Sequence, residues 1–227
     1  MLDEKLRSRP EILLAMALGM AAALGLTLLK FTSEVQDGDT DALDHAILLG
    51  LRHATDGNSA IWHGLRSTMI DVTALGNGVT LGIMVALVAG FLFVTGRRGT
   101  ALFLALQVTA GCSLVTIVKS IVDRGRPDVV DHLVTFRNAS FPSGHAADSA
   151  IVYLSLAMLV AGSAPKLGVR LYVMISAIIL TVLIGVSRVY LGVHWPSDVV
   201  AGWAIGSGWA LIAALLAQWL HIRASSR

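Results

Sequence analysis

Three cations, two histidines and an aspartate stand in this sequence at spacings suited to handling an anion. Lys119 is followed by Arg126-Pro127, and Pro142-Ser143-Gly144-His145 stands just ahead of an apolar run. Ser187-Arg188 lies near the end of a second run, and His194-Trp195-Pro196-Ser197-Asp198 leads into a third. Lys119, Arg126 and Arg188 suit neutralising a phosphate, because arginine presents forked donors that match phosphate oxygens. Ser143 and Gly144 precede a helix start, where exposed backbone N–H groups and the positive dipole end favour an anion. Glycine there lets the backbone approach without a side-chain clash. Asp198, four residues beyond His194, suits holding one imidazole nitrogen while the other attacks. His145 is then the natural proton donor to a departing oxygen. Pro196 suits the first turn of the helix that follows.

The elements that must position these residues are membrane spans. Of 227 residues, 55% are hydrophobic and 14% charged. Soluble domains carry roughly 25% charged residues, so this surface is not mainly wet. A net charge of +2 and the lack of a dense basic run exclude nucleic acid as the expected partner. Cys112 is the single cysteine, so no internal disulfide is available. A spanning helix needs roughly 17–25 mostly apolar residues. Six segments approach or meet that length: Ile12–Leu29, Leu75–Val94, Ala101–Val118, Ala146–Gly162, Leu171–Leu191 and Val199–Leu220. The fourth is weakened by Asp148, and the fifth is expected to break near Arg188. The first follows Lys5, Arg7 and Arg9, a pattern shared with signal peptides, with Ala21 to Ala23 as a possible cleavage site. Its continuation to Leu29 favours a retained span.

The expected fold is therefore all-α, a six-transmembrane-helix bundle in a single domain over residues 1–227. The long first outer connection, Lys30 to about Ala74, places Leu43, Ile47 and Leu51, then Trp62, Leu65 and Met69, at helical spacing around Asp56-Gly57-Asn58. This predicts two short amphipathic helices, packed on the bundle or lying in the interface, in preference to a lid over the site. Six alternating spans bring all four polar clusters to one membrane face. Nine lysines and arginines fall on the side of both termini and eight on the other. Several of the eight belong to the polar clusters, and discounting them makes the terminal side richer. Both termini are thus expected in the cytoplasm, with the site outside.

Each cluster alone has an ordinary explanation. A lysine at a helix end snorkels to the interface, and Pro-Ser-Gly is a common turn before a helix. Convergence on one face is what sets them apart, because ionisable groups at membrane depth cost about 2.5–3.5 kcal/mol each and need partners, a wet cavity or a function.

At these residues the chain resembles the type 2 phosphatidic acid phosphatase superfamily. The pattern K-x6-R-P, P-S-G-H and S-R-x5-H-x3-D is complete here in Lys119, Arg126-Pro127, Pro142 to His145, Ser187-Arg188, His194 and Asp198. The resemblance implies a metal-free reaction in two steps without a cofactor. In it, His194, oriented by Asp198, takes the phosphoryl group as a phosphohistidine, and His145 protonates the leaving oxygen. Lys119, Arg126, Ser143, Gly144 and Arg188 bind the phosphoryl oxygens. Arg124 and Asp148 lie close to the motifs without matching a fixed position. The expected partners are membrane lipids and a lipid phosphate or pyrophosphate substrate, with oligomeric state left open. Undecaprenyl pyrophosphate, phosphatidylglycerophosphate and phosphatidic acid are the candidates, in a bacterial inner membrane. A phosphotransferase and, less readily, a lipid or anion transporter are the alternatives.

Overall fold

A computed structural model of the chain describes residues 10–55, 60–134 and 139–225. The described residues form eight helices and no strand: α1 (Pro10–Gln36), α2 (Asp41–Thr55), α3 (Ala60–Ala74), α4 (Gly78–Val94), α5 (Arg98–Val122), α6 (Gly144–Ser163), α7 (Leu167–Tyr190) and α8 (Pro196–Ser225). Five of them, α1, α5, α6, α7 and α8, are long and apolar enough to cross a membrane. The pair α3–α4 passes the same test when taken together, with a bend of 47° at its break, and makes a sixth crossing if it is counted as one broken span. This is the all-helical membrane bundle expected, with 17 residues of α4 supplying its apolar part.

Local chemistry sets several boundaries. Asn77 caps α4 by accepting a hydrogen bond from the Val79 N–H at 2.9 Å, so this helix starts at Gly78, later than the apolar run. α1 continues past Leu29 to Gln36. The expected break at Arg188 does not occur: α7 runs unbroken to Tyr190. Arg188 is tolerated within it because its Nη1 donates to Thr73 Oγ1 at 2.9 Å, giving a buried donor a partner.

α6 sits at the centre, packed against α5, α7 and α8. Hydrocarbon tails surround a membrane bundle as readily as side chains do, so close backbone approach, not hydrophobicity, must hold it. Small residues supply that approach. Gly202 and Gly206 of α8 face Ala146, Ala147 and Ala150 of α6, within the chain. Two glycine–tryptophan pairs repeat one device. The Trp203 indole lies on Gly185 and donates to the Thr181 carbonyl at 3.0 Å; the Trp209 indole lies on Gly111 and donates to Gln107 at 2.9 Å. In each pair the missing side chain opens the carbonyl four residues earlier to a neighbour's N–H.

The two short helices of the outer connection are present, while Asp56-Gly57-Asn58 lies outside the described residues. α2 turns Asp44 and Leu48 inward and leaves Leu43 and Ile47 exposed. Leu51, Leu65 and Met69 pack over Tyr190, Leu191 and Val193, at the end of α7.

A Cβ added at Gly206 would lie 2.6 Å from the Ala150 Cβ, whereas one at Gly19 of α1 meets nothing within 4 Å. Gly206→Leu should therefore lower unfolding stability in detergent by about 1–3 kcal/mol, the usual cost of overpacking. Gly19→Ala should leave it unchanged. Equal melting of the two variants would contradict this packing.

Candidate active site

Four chain segments deliver the polar residues to one end of the bundle. α5 carries Lys119 in its last turn and passes through Asp123, in left-handed conformation, to Arg124 and Arg126. The Ser140–Ser143 turn leads into α6 with Ser143 as its N-cap. α7 brings Arg188. Gly192, at φ +73°, turns the chain toward His194, and a Cβ there would lie 2.9 Å from Val130 and 3.1 Å from Arg52. Only glycine accepts that conformation and that crowding together. Pro196 then opens α8 at its first helical position.

The structure brings His194 and Asp198 together, with Nδ1 3.4 Å from Asp198 Oδ2, one helical turn away. The other ring nitrogen, Nε2, faces Arg126 Nη1 at 3.4 Å. Arg126 Nη1 also donates to the Val193 carbonyl at 2.5 Å, which holds the guanidinium beside the ring. Lys119 Nζ donates to the Ala139 carbonyl at 2.8 Å, tying the end of α5 to the turn before α6. His145 lies within electrostatic reach of Arg188, His194, Lys119 and Arg126. Ser143 makes no capping hydrogen bond with its side chain, and the positive end of the α6 dipole faces this end of the bundle, a setting that favours an anion. Its Oγ is buried and has no hydrogen-bond partner among the described residues.

Asp198 is wholly buried and is held as an acceptor on every side. Oδ2 takes the Trp195 N–H at 2.9 Å and a short hydrogen bond from Ser140 Oγ. Oδ1 takes Arg124 Nη1 at 2.8 Å. Burial opposes the Arg124 charge, but the Asp198 and Asp44 carboxylates more than offset it and raise its pKa above the ordinary guanidinium value. Burial acts first on His194 and pushes it down to about 4, with Arg188 and Arg126 adding to the effect and Asp198 working against it. The imidazole is consequently neutral at physiological pH, the state a nucleophile requires.

Three contributors escape sequence reasoning: Ser140, which reaches both members of the dyad; Thr73, which holds Arg188; and Asp44, which pairs with Arg124. Ser140, two residues ahead of Pro142, was the one with a positional signal. Arg124 proves to be a direct partner of Asp198. Asp148 is half-buried beside a cavity of about 540 Å³ shared with Cys112, and its buried Oδ1 has no hydrogen-bond partner among the described residues. No group of three or more His, Cys, Asp or Glu is placed to hold a metal ion among the described residues.

A family model described as the PAP2 superfamily matches residues 99–222, which include every motif residue above. The chain belongs to this superfamily, in its membrane lipid phosphatase branch. It is 33% identical to phosphatidylglycerophosphatase B of Bacillus subtilis over 143 residues, 63% of this chain and 70% of that protein. It is 44% identical over 68 residues to an undecaprenyl-diphosphatase of Sulfolobus acidocaldarius, covering 30% of this chain and 29% of that protein. The fold superposes with a TM-score of 0.73 on the crystal structure of a transmembrane PAP2-type phosphatidylglycerolphosphate phosphatase from Bacillus subtilis, at 26% identity, covering 90% of this chain and 94% of the other.

Below the ordinary value of 6.5 the unfolded chain binds a proton at His194 that the folded ring resists down to about 4. The neutral ring's contribution to stability is complete above pH 6.5 and is lost as the pH falls toward 4. Histidine-labelled protein followed by NMR should show a His194 midpoint near 4. A midpoint at the ordinary 6.5 would contradict the buried, cation-flanked setting.

Proposed function

We propose that the protein hydrolyses a phosphomonoester or pyrophosphate of a membrane lipid through a phosphohistidine on His194. One observation carries this reading: His194 is held by Asp198 at one nitrogen while the other faces the cationic group Arg126. A phosphate bound there meets the guanidinium and the ring together. Lys119, Arg126 and Arg188 balance its charge, and the start of α6 at Ser143-Gly144 adds backbone donors.

The Nε2 lone pair attacks phosphorus as the bond to the leaving oxygen breaks, and protonated His145 supplies the proton that oxygen needs. Asp198 stabilises the charge that develops on the His194 ring. Neutral His145 then takes a proton from water; the water oxygen attacks phosphorus, the N–P bond breaks, and phosphate leaves. No step calls for a metal. The substrate class draws support from the site's place at one end of the spans and from relatives named for phosphatidylglycerophosphate and undecaprenyl diphosphate. Phosphatidic acid shares the same chemistry. The charge bias of the connections supports an outward site in a bacterial inner membrane, with both termini cytoplasmic.

Purified protein should release phosphate from one or more of these lipids, equally in EDTA. His194→Ala should lose at least about 10³-fold, the scale seen when a covalent nucleophile is removed. Sealed right-side-out vesicles should release it to the outside. Undiminished activity in His194→Ala would overturn the nucleophile; dependence on added magnesium or release into the lumen would overturn metal independence or orientation.

A further inference from the structure

We infer that Asp44, on the outer-connection helix α2, is a positioning residue for the catalytic dyad, acting through Arg124. The inference rests on the reading of His194 as nucleophile. Asp44 lies 154 positions before Asp198, outside every motif of the site, yet it is only 2% exposed. Its carboxylate accepts the Ser197 N–H at 2.9 Å and the Ser197 hydroxyl at 2.5 Å. It thereby caps the helix that carries Asp198, where a negative charge also meets the favourable end of the dipole.

The second link is electrostatic. Arg124 Nη2 lies 3.0 Å from Asp44 and Nη1 2.8 Å from Asp198, so one guanidinium spans two buried carboxylates. Nη1 also donates to Ser197 Oγ at 2.7 Å, closing the ring of contacts. Asp41 takes a weaker share at 3.3 Å from an exposed position. The neighbouring side chain repeats the attachment: the His45 ring lies 4.8 Å from that of Trp195, and the Arg124 guanidinium 5.5 Å from the same indole. α2 is thus seated on the segment between the nucleophile and its carboxylate.

Asp198 has to do two things: remain fixed and keep Oδ2 turned to His194. Arg124 pulls on Oδ1, and Asp44 holds Arg124 from the far side. With Asp44 neutralised, the guanidinium is drawn wholly onto Asp198, which shifts the carboxylate and weakens its support of the imidazole. The start of α8 loses an anionic cap at the same time. Lys119 and Arg126, on the phosphate side, feel the Asp198 charge only at longer range, whereas Arg124 bonds Asp198 directly and Asp44 bonds Arg124. The loss should therefore fall on turnover and spare substrate affinity. In this arrangement α2 couples the outer connection to catalysis, in place of merely covering the bundle.

The test uses full-length protein in detergent with the lipid phosphate that wild type cleaves fastest. Asp44→Asn keeps the shape and removes the charge; it should lower kcat about tenfold, with KM and inhibition by inorganic phosphate within about twofold. Arg124→Gln should also lower kcat, and the double variant should be no worse than Arg124→Gln alone, since both act along one chain of contacts. The His194 ring resonances should move in Asp44→Asn, a readout independent of activity. If Asp44→Asn does not fold, Arg124→Lys replaces it: a cation that cannot bridge both carboxylates should show the same kcat-weighted loss. Unchanged kcat with unmoved resonances, a rise in KM alone, or losses that multiply in the double variant would overturn the inference. Absence of phosphate release by wild type, with the resonances still moving, would instead refute the phosphatase reading.

Discussion

A carboxylate with no exposure to water at the end of a membrane bundle must be surrounded by donors, because an unpaired charge there would ionise only at great cost. Asp198 meets that demand with a backbone N–H, a serine hydroxyl, a guanidinium and the imidazole it serves. These come from the connection between α5 and α6 and from the chain entering α8. The main-chain bond from Ser143 N–H to the Asp198 carbonyl, 2.9 Å long, locks the start of α6 to the same residue. Satisfying one buried anion thus fixes the relative placement of His194, the start of α6 and Arg124.

That placement depends in turn on how closely α6 and α8 approach. His145 begins one helix and Asp198 the other, and the Gly202 face against Ser143 and Ala146 lets them meet just below the site. The tryptophan–glycine pairs brace α8 against α7 and α5 deeper in the bundle. Packing by small residues therefore does more than hold the helices together: it sets the distance between the parts of the site. Arg188, buried in α7 yet hydrogen-bonded to Thr73, adds α3 to the same frame.

The spans were legible because hydropathy declares itself over twenty residues, and the site was legible where its residues cluster at helix starts and ends. Lys119, Arg126, Ser143, Gly144, His145, Arg188, His194 and Asp198 each stand beside an apolar run whose direction assigns them a face. Asp44 was not legible. It sits among Asp41, Leu43 and His45 in a helix whose exposed apolar side carries the stronger pattern, and its partners are 80 and 153 residues away. Which face of α2 turns inward is decided by Arg124 and Ser197, not by periodicity. Arg188 misled in the opposite sense, because a charge in a span resembles a break until its distant hydroxyl partner is known.

In the proposed reaction phosphorus passes through His194. Rapid acid-free quenching of enzyme with a lipid phosphate, followed by peptide mass spectrometry, tests it directly. The expected result is a phosphoryl group on the peptide containing His194, labile in acid and stable in base. Turnover with no phosphorylated His194 at any time, or a phosphoryl group on another residue, would contradict it.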